Sequence, residues 1–146
     1  LLEDMSLYWN DDKFIVDTFV LKTIKRFEES NGAAQELLPE FKDDEDKEFA
    51  HKLFRSTLLN AEYYRGLISE NTKNWEFKRI AQMDLVIMQI ALAEILSFPQ
   101  IPLSVSINEY VNVAKVYSTP KSGGYINGLL DAIAKKLIAQ KKLINK

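Results

Sequence analysis

Almost every long segment of this chain repeats its apolar residues at three- and four-residue spacings, and none alternates apolar with polar as a half-buried strand would. That is the helical period, so the expected fold class is all-α. Met83 to Leu96 is apolar nearly all round, and its stretch from Leu85 to Leu96 is broken only by Gln89 and Glu94. A helix apolar on every side is buried on every side. This one falls short of the roughly 20 residues that cross a bilayer, so it reads as the central helix of a core, with no membrane partner.

The other helices follow from periodicity and from their stop signals. Residues 12–29 put Phe14, Val16, Phe19, Val20, Ile24 and Phe27 on one face, with Asn10 or Asp11 as cap and Asn31-Gly32 as the stop. Residues 44–70 form the clearest amphipathic pattern, predicting one helix whose buried row runs from Phe49 to Ile68. The run Asp43 to Asp46 stands at its start, where the helix dipole favours negative charge. A short turn holding Trp75, Phe77 and Ile80 comes next, and Pro99 and Pro102 close the apolar helix. Ser106-Ile-Asn-Glu109 has the spacing of a capping box and fits a helix that starts near 103–106 and runs to about Tyr117. Thr119 to Gly124 is a loop by composition, and a last helix spans about Tyr125 to Leu143.

Catalytic chemistry finds little to work with. The chain has no cysteine, which removes disulfides and thiolate metal sites and fits a reducing, cytoplasmic setting. His51 is the one histidine, so Glu48-Phe-Ala-His51 is half of a carboxylate-bridged metal motif whose second half cannot exist here. The acidic run lacks the glycine and spacing of a calcium loop, and no phosphate-cradling glycine loop appears. Neither a cofactor nor a metal is expected, and the chain does not read as an enzyme. No basic-then-apolar leader opens it.

Charge is uneven. Residues 1–73 carry 10 Lys and Arg against 16 Asp and Glu, whereas residues 74–146 carry 9 against 5. A basic second half on an acidic first half admits a polyanionic partner without fixing one. Residues 1–72 are expected to form one helical part and residues 73–146 a second bundle.

From Trp75 onward the sequence resembles the NusB family. The resemblance is carried by Trp75-Glu-Phe-Lys-Arg-Ile80, Met83-Asp84, Ile87-Met-Gln-Ile-Ala-Leu-Ala-Glu94-Ile95, Ile107-Asn108-Glu109 with Val113-Ala-Lys115, and Tyr125-Ile-Asn127-Gly128-Leu-Leu-Asp131. These motifs stand in the family's order and at about its spacing, and a looser match reaches back to about residue 45. The resemblance implies two small helical bundles packed together. It also implies a transcription antitermination factor that binds a single-stranded boxA-like RNA with NusE, a small-subunit ribosomal protein, and joins the RNA polymerase complex on ribosomal RNA operons. An RNA methyltransferase accessory domain and a plain protein-interaction module are the alternatives.

The chain departs from the family in its first 20 residues, which hold one Lys and no Arg where the family has an Arg-rich helix. The expectation is a piece of a longer protein with an incomplete first bundle, and self-association through the surface so exposed. Gln89 stands where the family usually has Arg, and Tyr125 where phenylalanine is commoner.

The resemblance assigns RNA contact to Tyr125, an aromatic suited to stacking an unpaired base. Lys121, Lys115, Arg79 and Lys78 are the phosphate-binding candidates. Asp84 and Gln89, on the helix that faces NusE in the family, are the protein-partner candidates. The same residues also admit plainer readings: Tyr125 as a core tyrosine with a wet hydroxyl, the basic residues as solvated charges, Asp84 as a helix cap. Asn127-Gly128 reads as architectural, with the glycine letting the last helix approach its neighbour, and Gly123-Gly124 as a turn.

Overall fold

In the computed structural model, residues 10–39, 41–73 and 77–143 are described, with side chains from Phe14 onward. Asn10, Asp11 and Trp75, named above as caps and as a motif anchor, have side chains outside that set. The described residues are helical and contain no strand. The chain divides into two compact units, Leu1–Lys47 and Glu48–Lys146.

The first unit holds α1 (Asn10–Arg26) and a short 3-10 turn (Glu29–Ala34). The helix ends three residues earlier than its periodicity predicts. Gly32 does not cap it but sits within the turn at φ 48°, ψ −127°, a conformation open to glycine alone. Gln35 Oε1 ties that turn together, accepting from the Glu28 amide at 3.1 Å and Asn31 Nδ2 at 3.2 Å. The apolar row that periodicity puts on one face of residues 12–29 is open to solvent. Phe14, Val16, Phe19, Val20, Ile24 and Phe27 are all exposed.

α2 (Asp44–Leu59) starts on a true cap. Asp43 Oδ1 accepts the Asp46 amide at 2.9 Å, so the acidic run supplies a specific hydrogen bond besides its charge. The single helix predicted over 44–70 is two helices, because α3 (Ala61–Glu70) begins after a break at Asn60 (φ −112°, ψ 18°). Asn60 Nδ2 turns back to the Ser56 carbonyl at 3.0 Å, the local bond by which asparagine competes with helix. The break returns Tyr64 toward α2, where its hydroxyl meets Ser56 Oγ at 3.0 Å. Ser56 Oγ also lies 2.7 Å from Ser97 Oγ.

Met88, Ala91, Leu92 and Ala93 of α4 (Gln82–Ser97) are almost wholly inaccessible, so this is the central helix the sequence predicts. Around it pack α3, α5 (Leu103–Tyr117) and α6 (Ser122–Ala139). Ile126, Leu130, Ile133 and Leu137 of α6 face this core. The capping box does not form. α5 begins at Leu103 after Pro102, and Ser106 lies in its second turn with its hydroxyl buried and without a hydrogen-bond partner. The last helix starts and ends earlier than expected. Lys141, at φ 56°, directs its amide to Ile138, and the Lys142 amide returns to Leu137, the paired bonds that close a helix C-terminus.

The buried acid Glu94 of α4 accepts the Tyr110 hydroxyl of α5 at 2.9 Å. Burial first, then this bond and the Glu94 charge, push the Tyr110 hydroxyl well above its ordinary range, so it stays protonated in the folded chain. A tyrosine raised on folding contributes stability that is intact below its unfolded value of about 10 and is lost as pH rises past that value. Tyr110→Phe strands the Glu94 carboxylate. The expected cost is about 1–3 kcal/mol at neutral pH, together with a shallower fall in stability above about pH 10. Urea midpoints measured on both proteins from pH 7 to 11 check both effects.

A hollow at the start of the last helix

Asp84 lies in the first turn of α4, is 6% exposed, and reaches the connection between α5 and α6. Its Oδ1 accepts the Ser118 hydroxyl in a short bond, and its Oδ2 accepts Ser122 Oγ at 2.9 Å. Each hydroxyl has one proton, and both are given to the carboxylate. Ser122 Oγ therefore acts as acceptor toward Thr119, whose amide lies at 3.2 Å and whose Oγ1 lies at 2.8 Å. This knot fixes residues 118–122, most of which fall in the Thr119–Gly124 segment that reads by composition as a loop. Asp84 is not a helix cap: the residue before α4 is Ala81, which offers no capping side chain.

Next to the knot is an open hollow of about 430 Å³ lined by Arg79, Ile80, Ala81, Asp84, Thr119, Lys121, Ser122 and Tyr125. Residues far apart in sequence thus meet: Arg79 before α4, Lys121 before α6, and Tyr125 one turn into α6. Tyr125 is 39% exposed, so its ring is at the surface and not in the core. Lys115 does not line the hollow. Its alkyl stem lies against α6 at Gly123, and its Nζ donates to Asn112 Oδ1 at 3.3 Å. Lys78 is exposed but does not line the hollow. Gln89 is buried, and its Nε2 donates to the Ala61 carbonyl at 3.4 Å, bridging α4 to the start of α3.

The glycines exchange the roles the sequence suggests. Gly123 is the close-approach residue, since a Cβ there would lie 3.4 Å from Lys115 Cγ and 3.6 Å from Val111 Cγ1. Gly123 and Gly124 belong to the first turn of α6, not to a turn before it. Gly128 faces open space: a Cβ there would meet nothing within 4 Å, and its φ is not positive. Glycine inside a helix costs roughly 0.5–1 kcal/mol relative to alanine. Gly128→Ala is therefore expected to raise the thermal midpoint by a few degrees, read by calorimetry; a lower midpoint would mean that an unseen close approach exists.

Electrostatics favours an anion here more than the sequence count suggests. Two acidic residues of the second half, Asp84 and Glu94, are buried and bonded internally, while Lys78, Arg79, Lys115 and Lys121 are exposed; Lys135 and Lys136 are exposed too but pair with Asp131 and Glu70. Thr119, Ser122 and Ser118 were not legible as site residues. The Ser118-Thr119…Ser122 hydroxyl spacing is their only trace, and it has meaning only once Asp84 is known to face it. Among the described residues no group of three or more His, Cys, Asp or Glu side chains is placed to hold a metal, and no helix is long and apolar enough to cross a membrane.

Comparison with known proteins agrees with these motifs. Residues 16–135 match the NusB family. The chain is 38% identical over 130 residues to the transcription antitermination protein NusB of Salinibacter ruber, covering 85% of this chain and 81% of that protein. It is 35% identical over 133 residues to the protein of the same name from Geotalea daltonii, covering 90% and 88%. The solved structure of T. maritima NusB superposes with a TM-score of 0.63 at 35% identity, covering 72% of this chain and 74% of that one. Sequence motifs, helical architecture and structural superposition converge, and this chain belongs to the NusB family.

Proposed function

We infer that this chain acts in transcription antitermination by holding a boxA-like single-stranded RNA, together with NusE, for delivery to the RNA polymerase complex. One observation carries the reading: the hollow that gathers Tyr125, Arg79 and Lys121. A half-exposed ring offers a stacking face to an unpaired base, and flanking cations neutralise the phosphates on either side. Lys115 and Lys78 extend the cationic surface beyond the hollow. The relatives' shared name, transcription antitermination protein, supports the same role. In this reading residues 73–146 carry the RNA surface. Asp84 and Gln89, both buried, serve the NusE face indirectly, Asp84 by tying the start of α4 to the connection between α5 and α6 and Gln89 by tying α4 to α3.

The test is a fluorescence anisotropy titration of a boxA-like RNA with this chain, with and without NusE, over a salt series. Affinity should fall steeply with salt, by about 0.7 in log–log slope for each phosphate contacted. Absence of binding under both conditions would overturn the reading. The exposed apolar row of α1, which with Leu37, Leu38 and Pro39 lines a hollow of about 460 Å³, favours one addition. The chain self-associates through that row, and sedimentation as a strict monomer at high concentration would count against it.

A further inference from the structure

α2 carries a second hollow, of about 440 Å³, lined by Glu48, His51, Lys52, Arg55, Ser56 and Asn60. It shares no lining residue with the hollow at Tyr125. His51, Lys52 and Arg55 recur along one side of the helix, against a single carboxylate, Glu48. Lys52 Nζ is held 4.7 Å over the Phe98 ring, which itself packs 4.7 Å from Phe49. One cation is thus positioned before any ligand arrives. Among the described residues Arg55 takes part in neither a hydrogen bond nor an ion pair. The floor is stiff, because Ser56 Oγ meets both Tyr64 and Ser97 and Asn60 Nδ2 is bonded to the Ser56 carbonyl.

The lining selects the ligand. A guanidinium fork, an ammonium, an imidazole and an amide match the oxygens of a tetrahedral anion. No aliphatic side chain and no phenyl, phenol or indole ring lines the hollow. It therefore lacks the large apolar anchors on which protein partners depend, and its one ring is the imidazole of His51. We propose that this hollow binds a backbone phosphate of single-stranded RNA through Arg55, Lys52 and His51, as a contact indifferent to sequence and additional to the one at Tyr125. The proposal rests on the RNA-binding reading above. Glu48 weakens anion binding there, since its carboxylate lines the same hollow.

Two substitutions in the lining should therefore act in opposite directions on the full chain. Arg55→Gln should weaken binding of an oligouridylate several-fold and reduce the log–log salt slope by about 0.7, whereas Glu48→Gln should tighten binding up to a few-fold. Both should keep the wild-type thermal midpoint. In NMR spectra, the Arg55 Nε–H and His51 imidazole signals should move on adding the oligouridylate. If RNA moves only signals around Tyr125 and both variants bind as wild type, this site is refuted and the antitermination reading stands. If no RNA binds anywhere, both fall. If inorganic phosphate alone moves the Arg55 signal while RNA does not, the hollow serves a free phosphate compound. If polyglutamate moves it and RNA does not, the partner is an acidic protein. Either result overturns the proposal.

Discussion

Replacing Tyr125 with alanine is expected to weaken RNA binding by about 5- to 150-fold, the equivalent of one lost base stack of about 1–3 kcal/mol. The ring is 39% exposed, so its removal opens no core cavity and the thermal midpoint should stay within a few degrees of wild type. Tyr125→Phe keeps the stacking face and should retain most of the affinity. The neighbouring cations should behave differently. Arg79→Gln and Lys121→Gln should each lower the log–log salt slope by about 0.7 with no change in base preference, because a phosphate contact carries no sequence information. Stacking loss and charge loss thus separate in one anisotropy series: the first lowers affinity at every salt concentration, the second chiefly at low salt. If Tyr125→Ala binds as tightly as wild type, the ring stacks no base, and the hollow holds phosphates alone.

What could be read from sequence divides by range. The core helix Met83–Leu96 was legible because burial on most of its sides leaves a nearly continuous apolar signature, although the face of Met83 and Val86 stays exposed. The helices of the second unit were legible by period, and the motifs from Lys78 to Asp131 fixed their family. The break at Asn60 was not, because apolar spacing runs on through it and a single side-chain-to-backbone bond decides the matter. Ser106 had the spacing of a cap, but Pro102 had already started the helix one turn earlier. α1 shows what periodicity leaves open: an apolar row marks a face that wants cover, and says nothing about what covers it. At the site, residue types that stack bases and bind phosphates could be listed from the motifs. Their convergence could not, since Arg79 and Tyr125 meet only through the packing of α4 against α6. Gly123 and Gly128 show the same limit, being identical in type and opposite in environment.

Asp84 is the residue on which that convergence depends, and Asp84→Ala is expected to have the largest effect on stability. The substitution leaves the Ser118 and Ser122 hydroxyls without their acceptor, and Ser122 is only 2% exposed. Hydrogen bonds to a charged group contribute about 1.5–3 kcal/mol each, and the stranded hydroxyls add their own desolvation cost. The two bonds together, about 3–6 kcal/mol, correspond to a fall in thermal midpoint of roughly 6–24 °C for a domain of this size. Asp84→Asn should cost less, because its carbonyl still accepts from one serine while its amide donates to the other. Ser122→Ala should also cost less, since it removes the buried hydroxyl together with its need for a partner. RNA affinity should follow the same order, because a loosened 118–122 segment no longer holds Lys121 and Tyr125 on one hollow. A direct role for Asp84 as a NusE contact makes the opposite forecast: Asp84→Ala would lose NusE while melting as wild type does. Calorimetry on the three variants, set beside NusE and RNA titrations, separates a carboxylate that organises the RNA surface from one that touches the partner. Its internal bonds to two serines favour the first.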